Sequence, residues 1–155
     1  MNQQLKEKIQ SHSEKLFEKV RGYREHLHMN PELSYEENDT MDYITKQLTQ
    51  IGIPYEAKVA DTGVVAIIKG KHHSANDECI GLRADIDALP IIEENDVPYK
   101  SKNHGVMHAC GHDVHTSVLL GAAEILFELK DELEHPVKLI FQPGEEKNPG
   151  GASLM

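Results

Sequence analysis

The densest group of metal-seeking side chains is the stretch His104-Gly-Val-Met-His108-Ala-Cys110-Gly-His112-Asp113-Val-His115. Cys110 and His112 are separated by one glycine, so a compact turn can aim both at one ion. A thiolate and an imidazole suit Zn²⁺, and imidazole also suits other first-row metals. The stretch lies just before a predicted helix, whose N-terminus favours the thiolate by lowering a nearby thiol's pKa. The plainer alternative is a loop of exposed histidines around a buried thiol. A third alternative makes Cys110 a nucleophile with His112 or His108 as its base.

Two carboxylate motifs could complete a hydrolytic site. Gln142-Pro143-Gly144-Glu145-Glu146 follows the apolar run Val137–Phe141. Adjacent glutamates at a strand end point in different directions, so one can bind a metal while the other reaches a water. Amide hydrolysis needs that pairing of Lewis acid and general base. Taken alone, the pair also reads as a solvated acidic turn, and Pro-Gly fits an ordinary turn. The other motif is Arg83-Ala-Asp85-Ile-Asp87-Ala-Leu-Pro90. Its two aspartates share one side of an extended segment. They could orient histidines, bind metal directly, or cap backbone amides in a turn. His26 and His28 end the first helix and read as structural or surface groups. His72, His73 and His135 read as exposed.

Those residues need elements to hold them. Leu5, Ile9, Leu16, Val20, Tyr23 and Leu27 mark one helical face, which Asn30-Pro31 ends. Ser34 with Glu37 three residues on reads as a capping box opening a second helix. Met41, Ile44, Leu48 and Ile51 give that helix its stripe, and Gly52 stops it. Val64–Ile68, Cys79–Ala84 and Val137–Phe141 read as strands. A polar loop covers about 92 to 104. A helix should run from about Asp113 to Lys130 with Val114, Val118, Ile125 and Leu129 facing inward. The expected fold is α/β: a layered domain with a mixed, largely parallel sheet flanked by helices. In such folds ligand sites lie outside the carboxyl ends of strands, where both carboxylate motifs fall.

Bulk properties narrow the partners. The chain has 155 residues and a formal net charge of −10, with 26 acidic against 16 basic side chains. Such a surface repels phosphate backbones and anionic lipid, so neither nucleic acid nor membrane is an expected partner. No apolar run is long enough to span a bilayer. The polar start, MNQQLKEKIQ, lacks the core of a signal peptide, and the two cysteines make no disulfide framework. A reducing, cytoplasmic location is the default expectation.

Taken together the motifs resemble the aminoacylase and hippurate-hydrolase family of metallopeptidase-like amidohydrolases, which includes plant auxin-conjugate hydrolases. The resemblance runs through Arg24-Glu-His-Leu-His28, Asn30-Pro-Glu-Leu33, Thr62-Gly-Val-Val65, Leu82-Arg-Ala-Asp-Ile-Asp-Ala-Leu-Pro90, Met107-His-Ala-Cys-Gly-His-Asp113 and Phe141-Gln-Pro-Gly-Glu-Glu146. It implies a zinc-exopeptidase-like catalytic domain that hydrolyses the amide bond of N-acyl amino acids or related small amides and peptides. It also implies Cys110, His112 and Glu146 as metal ligands, with Cys110 able to bridge two ions, and Glu145 as general base. Asp85 and Asp87, with His108, Asp113 and His115, become supporting groups or further candidate ligands. Two divalent ions per intact subunit are implied, zinc or manganese, with cobalt and nickel as alternatives. Family members are usually more than twice as long. Residues 1–155 are therefore expected to be the N-terminal portion of the catalytic domain, without the later ligands and without a lid domain involved in dimer contacts. Such a piece is expected to be inactive alone. A non-catalytic metal-binding or interaction domain is the remaining alternative.

Overall fold

A computed structural model describes residues 3–74 and 77–155. Helix α1 spans Gln3–Met29 and α2 spans Asn38–Ile51. Strands β1 (Tyr55–Val59), β2 (Gly63–Ile68) and β3 (Ile80–Asp85) come next. Helix α3 (His112–Glu128) leads through a 3-10 turn to β4 (Val137–Gln142) and a last short helix α4 (Gly151–Leu154). Among the described residues no helix is long and apolar enough to cross a membrane.

The strands form one mixed sheet in the order β1-β2-β4-β3. β1 and β2 pair antiparallel, as do β2 and β4, while β3 and β4 run parallel. The sheet is mixed, as expected, though it leans further toward antiparallel pairing than the strand pattern suggests. The parallel pair matters most for function. Helix α3 is its crossover, and Asp85 is registered against Gln142. Ile86 N–H also donates to Gln142 O at 3.0 Å. The carboxyl ends of β3 and β4 therefore emerge side by side, carrying Asp85–Asp87 and Pro143–Glu146 to one edge.

The core lies between the helices and one sheet face. Val64, Ala66 and Ile68 of β2 and Val137, Leu139 and Phe141 of β4 alternate inward onto Ile44 and Leu48 of α2 and Leu119, Leu120 and Ala123 of α3. That period-two burial is the pattern that marks β2 and β4 in the sequence. Gly52 ends α2 in the left-handed region at φ 90°, where glycine carries no Cβ penalty.

Three expectations need correction or addition. Ser34 does not cap α2; the helix begins at Asn38, preceded by Glu37, with no side-chain cap bond. Its first amides are served instead by Glu32, which accepts from Asp39 N–H at 3.1 Å and Thr40 N–H at 2.7 Å. Ser34 is drawn away because Leu33 bridges Ala88, which brings the segment against the end of β3. Val114 and Val118 do not face inward, at 46% and 58% exposed. Helix α3 is apolar nearly all round, and it turns Thr116, Leu119, Leu120 and Ala123 to the sheet instead. Strand β1 is an addition to the strands expected above, although its five residues do alternate apolar and charged.

Candidate metal centre

Three chain segments converge at the carboxyl edge of the parallel pair. Gly111 at φ 81° precedes α3 and turns the chain between Cys110 and His112. The Glu145-Glu146 turn arrives from β4. One ligand atom each from Cys110, His112 and Glu146 lies within 4.8 Å of the others. A thiol, an imidazole and a carboxylate at that spacing fit a first-row divalent cation, which accepts S, N and O donors at about 2.0–2.3 Å.

The orientation of His112 adds to the fit. Its Nδ1 lies 2.9 Å from the backbone oxygen of Asp87 and 3.2 Å from Asp87 Oδ1. An N–H donated to that oxygen leaves Nε2 as the outward atom, the arrangement that buried oxygen partners impose on ligating histidines. Nε2 is 3.9 Å from both Glu145 Oε2 and Glu146 Oε1. Burial alone would depress the imidazole pKa, but the bonds to Asp87 outweigh it and lift the ring to about 9. Asp87 is buried too, which would raise its carboxyl. Bonds from His112, from Ser34 Oγ (2.6 Å) and from Glu146 N–H (2.9 Å) win and hold it at about 2.

Cys110 is exposed rather than buried, and its thiol moves opposite to the helix-dipole expectation. A hydrogen bond to Glu146, some burial, and the charges of Glu146, Glu145 and Asp87 push it up to about 11. Full carboxylate charges at close range outweigh the fractional charge of a helix end.

The other candidates fall into distinct places. Asp85 is clamped by Arg83 Nη2 at 2.7 and 2.9 Å and stands 3.7 Å from His115 Nδ1. Asp85, His112 and His115 also approach within 4.8 Å of one another. Asp113 turns away to α1, accepting from Arg24 Nε at 2.9 Å and His28 Nδ1 at 2.7 Å. His108 joins neither group. It is 4% exposed, both its ring nitrogens lack a hydrogen-bond partner among the described residues, and burial pushes it down to about 4. His104 is exposed, as are His72 and His135, while His73 is half-buried and accepts from Gly70 N–H. His26 stacks on Tyr43 at 3.9 Å, and His28 is buried.

Sequence reasoning missed three residues that shape this edge. Glu93 accepts from His28 Nε2 at 2.9 Å, so His28 sits between two carboxylates. Tyr35 lies with its ring against the α-carbon of Gly144. Glu37, which reads as half of a capping box, is fully buried and accepts from Gly144 N–H at 2.8 Å. No local pattern announces any of these contacts, because each partner lies dozens of residues away.

Known proteins resemble the chain in sequence and in fold. The chain is similar to N-acetyl-L-cysteine deacetylase of Bacillus subtilis (strain 168), 48% identical over 134 residues covering 86% of this chain and 32% of the relative. It is similar to N-acyl-L-amino acid amidohydrolase of Geobacillus stearothermophilus, 41% identical over 150 residues covering 97% of this chain and 40% of the relative. Among solved structures, a dinuclear metal binding peptidase from the M20 family of Bacillus subtilis superposes with a TM-score of 0.82 at 40% identity, covering 88% of this chain and 38% of that one. The chain thus spans about a third to two fifths of the length of these relatives. Residues 81–155, which carry Asp85, Asp87, Cys110, His112, Glu145 and Glu146, match the model for Peptidase family M20/M25/M40.

Proposed function

We propose that this chain contributes the metal-binding edge of an amidohydrolase acting on N-acyl amino acids or related small amides. The observation that carries this is the convergence of Cys110, His112 and Glu146 within 4.8 Å at the end of the parallel strand pair. The names of the deacetylase and amidohydrolase relatives supply the substrate class. The dinuclear neighbour favours two divalent ions in the intact protein, zinc or manganese by donor type.

Cys110 Sγ, His112 Nε2 and a Glu146 carboxylate oxygen would hold such a cation, which supplies the Lewis acid that polarises an amide carbonyl and acidifies water. Asp87 holds the His112 ring in the required tautomer. Glu145, whose Oε2 lies beside His112 Nε2, takes the proton of the attacking water and returns it to the leaving amine. A positioned base of this kind contributes roughly 10²–10⁴-fold. A cysteine-nucleophile reading fares worse, since that chemistry needs a depressed thiol pKa and Cys110 is pushed up to about 11.

Cobalt titration of the purified chain tests the proposal. Wild type should show a thiolate-to-cobalt charge-transfer band in the near ultraviolet. Cys110→Ser should abolish the band, Glu146→Gln should weaken affinity, and Glu145→Gln should leave both nearly intact. A band that survives Cys110→Ser would refute the ligand set.

A further inference from the structure

Helix α2 starts at Asn38, and the residue before it holds a carboxylate that its own helix does not use. Glu37 is fully buried, yet no side-chain cap bond is made to α2, whose first amides are served by Glu32. Its two oxygens reach across the fold instead. Oε2 accepts from the Thr62 hydroxyl at the start of β2, and Oε1 accepts from Gly144 N–H at 2.8 Å.

Burying a carboxylate is costly, so its partners need an explanation beyond packing. Gly144 opens the turn that carries Glu145 and Glu146, and it adopts φ +56°. Its N–H goes to Glu37, its C=O accepts from Gly151 N–H at 3.0 Å, and its α-carbon lies on the Tyr35 ring. Two residues on, Glu146 N–H goes to Asp87, which Ser34 holds from the other side. The segment 34–37 therefore grips both ends of the glutamate turn: Glu37 at Gly144, and Ser34 through Asp87 at Glu146.

Resting on the metal reading above, we infer that Glu37 is a positioning residue for the Glu145-Glu146 turn, fixing its backbone so that Glu146 meets Cys110 and His112 around one cation. It touches no reacting atom itself. Groups one step removed from the ligands typically account for about 10–100-fold in metal affinity.

The test measures cobalt affinity and the thiolate band of the purified chain alongside its melting temperature. Glu37→Asp keeps the charge but shortens the reach to Gly144. It should weaken cobalt binding about 10–100-fold. Glu37→Gln retains an acceptor for Gly144 N–H and should recover most of that loss. Ile44→Val on α2 lowers stability without touching the turn and should leave affinity unchanged. Thr62→Val frees one carboxylate oxygen and should weaken binding by about tenfold at most; it decides the matter if Glu37→Asp fails to fold. A Glu37→Asp or Thr62→Val protein that binds cobalt as tightly as Ile44→Val would overturn the inference while leaving the ligand set standing. A wild-type chain without the thiolate band would overturn the metal reading and this inference with it.

Discussion

Gly144→Ala separates backbone strain from steric fit at the glutamate turn. Two costs add. An L residue in the left-handed region costs roughly 1–2 kcal/mol that glycine avoids, and Gly144 sits at φ +56°. An added Cβ would then lie 2.4 Å from Cε1 and Cζ of the Tyr35 ring. Real carbons do not approach so closely, so the ring or the turn must shift. Overpacking of that kind costs about 1–3 kcal/mol. The sum is about 2–5 kcal/mol, a large share of the roughly 5–15 kcal/mol that hold a native domain together. At about 2–4 °C per kcal/mol for a chain of this size, the melting temperature should fall by about 4–20 °C. Urea unfolding of wild type, Gly144→Ala, Tyr35→Ala and the double variant resolves the parts. With the ring gone only the backbone cost should remain, so the cycle should show coupling of about 1–3 kcal/mol. The Tyr35 hydroxyl bond to Lys147 O is long, at 3.3 Å, and exposed, so its loss does not blur the cycle. Equal costs in both backgrounds would refute the packing argument, and no cost in either would refute the left-handed turn.

The charges at this edge lead to two further outcomes. In chelator-treated protein Cys110, with its thiol at about 11, should be alkylated slowly for an exposed cysteine. At pH 8 its thiolate fraction is about 200-fold below that of an ordinary thiol near 8.5. The greater nucleophilicity of a basic thiolate returns about 10–20-fold. Iodoacetamide labelling read by mass spectrometry should therefore be about tenfold slower folded than unfolded, and equal rates would count against the carboxylate field. The His28 cluster should give an acid-sensitive stability. Burial would raise the Glu93 carboxyl, but bonds from His28, from Ser101 N–H (2.6 Å) and from Asn95 hold it at about 2, below its ordinary value. A depressed carboxylate stabilises the fold above its unfolded pKa near 4.3 and loses that contribution as pH falls toward about 2. Melting temperature should drop through that window in wild type and drop less in Glu93→Gln. His28→Leu removes one buried partner from each of Asp113 and Glu93, leaving Arg24 on the first and Ser101 N–H and Asn95 on the second, so it should cost about 1–3 kcal/mol at neutral pH. A His28→Leu protein as stable as wild type would rule out the paired-charge account.

Elements with a clean period are legible in the sequence, and those built by distant contacts are not. The stripe of α1, its stop at Asn30-Pro31, the stop of α2 at Gly52 and the alternation in β2 and β4 are local signals, and the chain obeys them. β1, Tyr55-Glu-Ala-Lys-Val59, alternates apolar and charged residues over only five positions, a run too short to stand out beside the apolar runs of β2 and β4. It is an edge strand that exists because β2 offers it a partner. The inward face of α3 escapes the sequence for a related reason. A helix apolar on most sides has no preferred stripe, so the sheet it meets decides which side is buried. Ser34 shows a local signal misleading outright. Ser-x-x-Glu is the pattern of a capping box, but Ser34 bonds Asp87 and Glu37 reaches Gly144.

The candidate site is more legible than its supports, and the physics of the fold explains why. Motifs at the ends of two parallel strands must meet, because register carries Asp85 to Gln142 and so brings the two loops leaving β3 and β4 into contact. Nothing comparable announces a carboxylate that works at a distance. Glu37, Asp87, Glu93 and Asp113 are all buried at or near this edge, in a chain already at −10. Each accepts hydrogen bonds from amides, hydroxyls, ring nitrogens or Arg24, although Asp87 Oδ1 has no hydrogen-bond partner among the described residues. Asp87, with Asp85 and the two glutamates of the turn, acts on the groups that can still take a proton. His112 is lifted to about 9 and Cys110 to about 11. These are the same nitrogen and sulfur that face Glu146, so in the proposed site protons and a divalent cation would compete for one pair of atoms. A field that makes a proton hard to remove also draws a doubly charged ion more strongly than a singly charged one. The carboxylates around this edge therefore set its geometry and, in the proposed site, the charge it would accept.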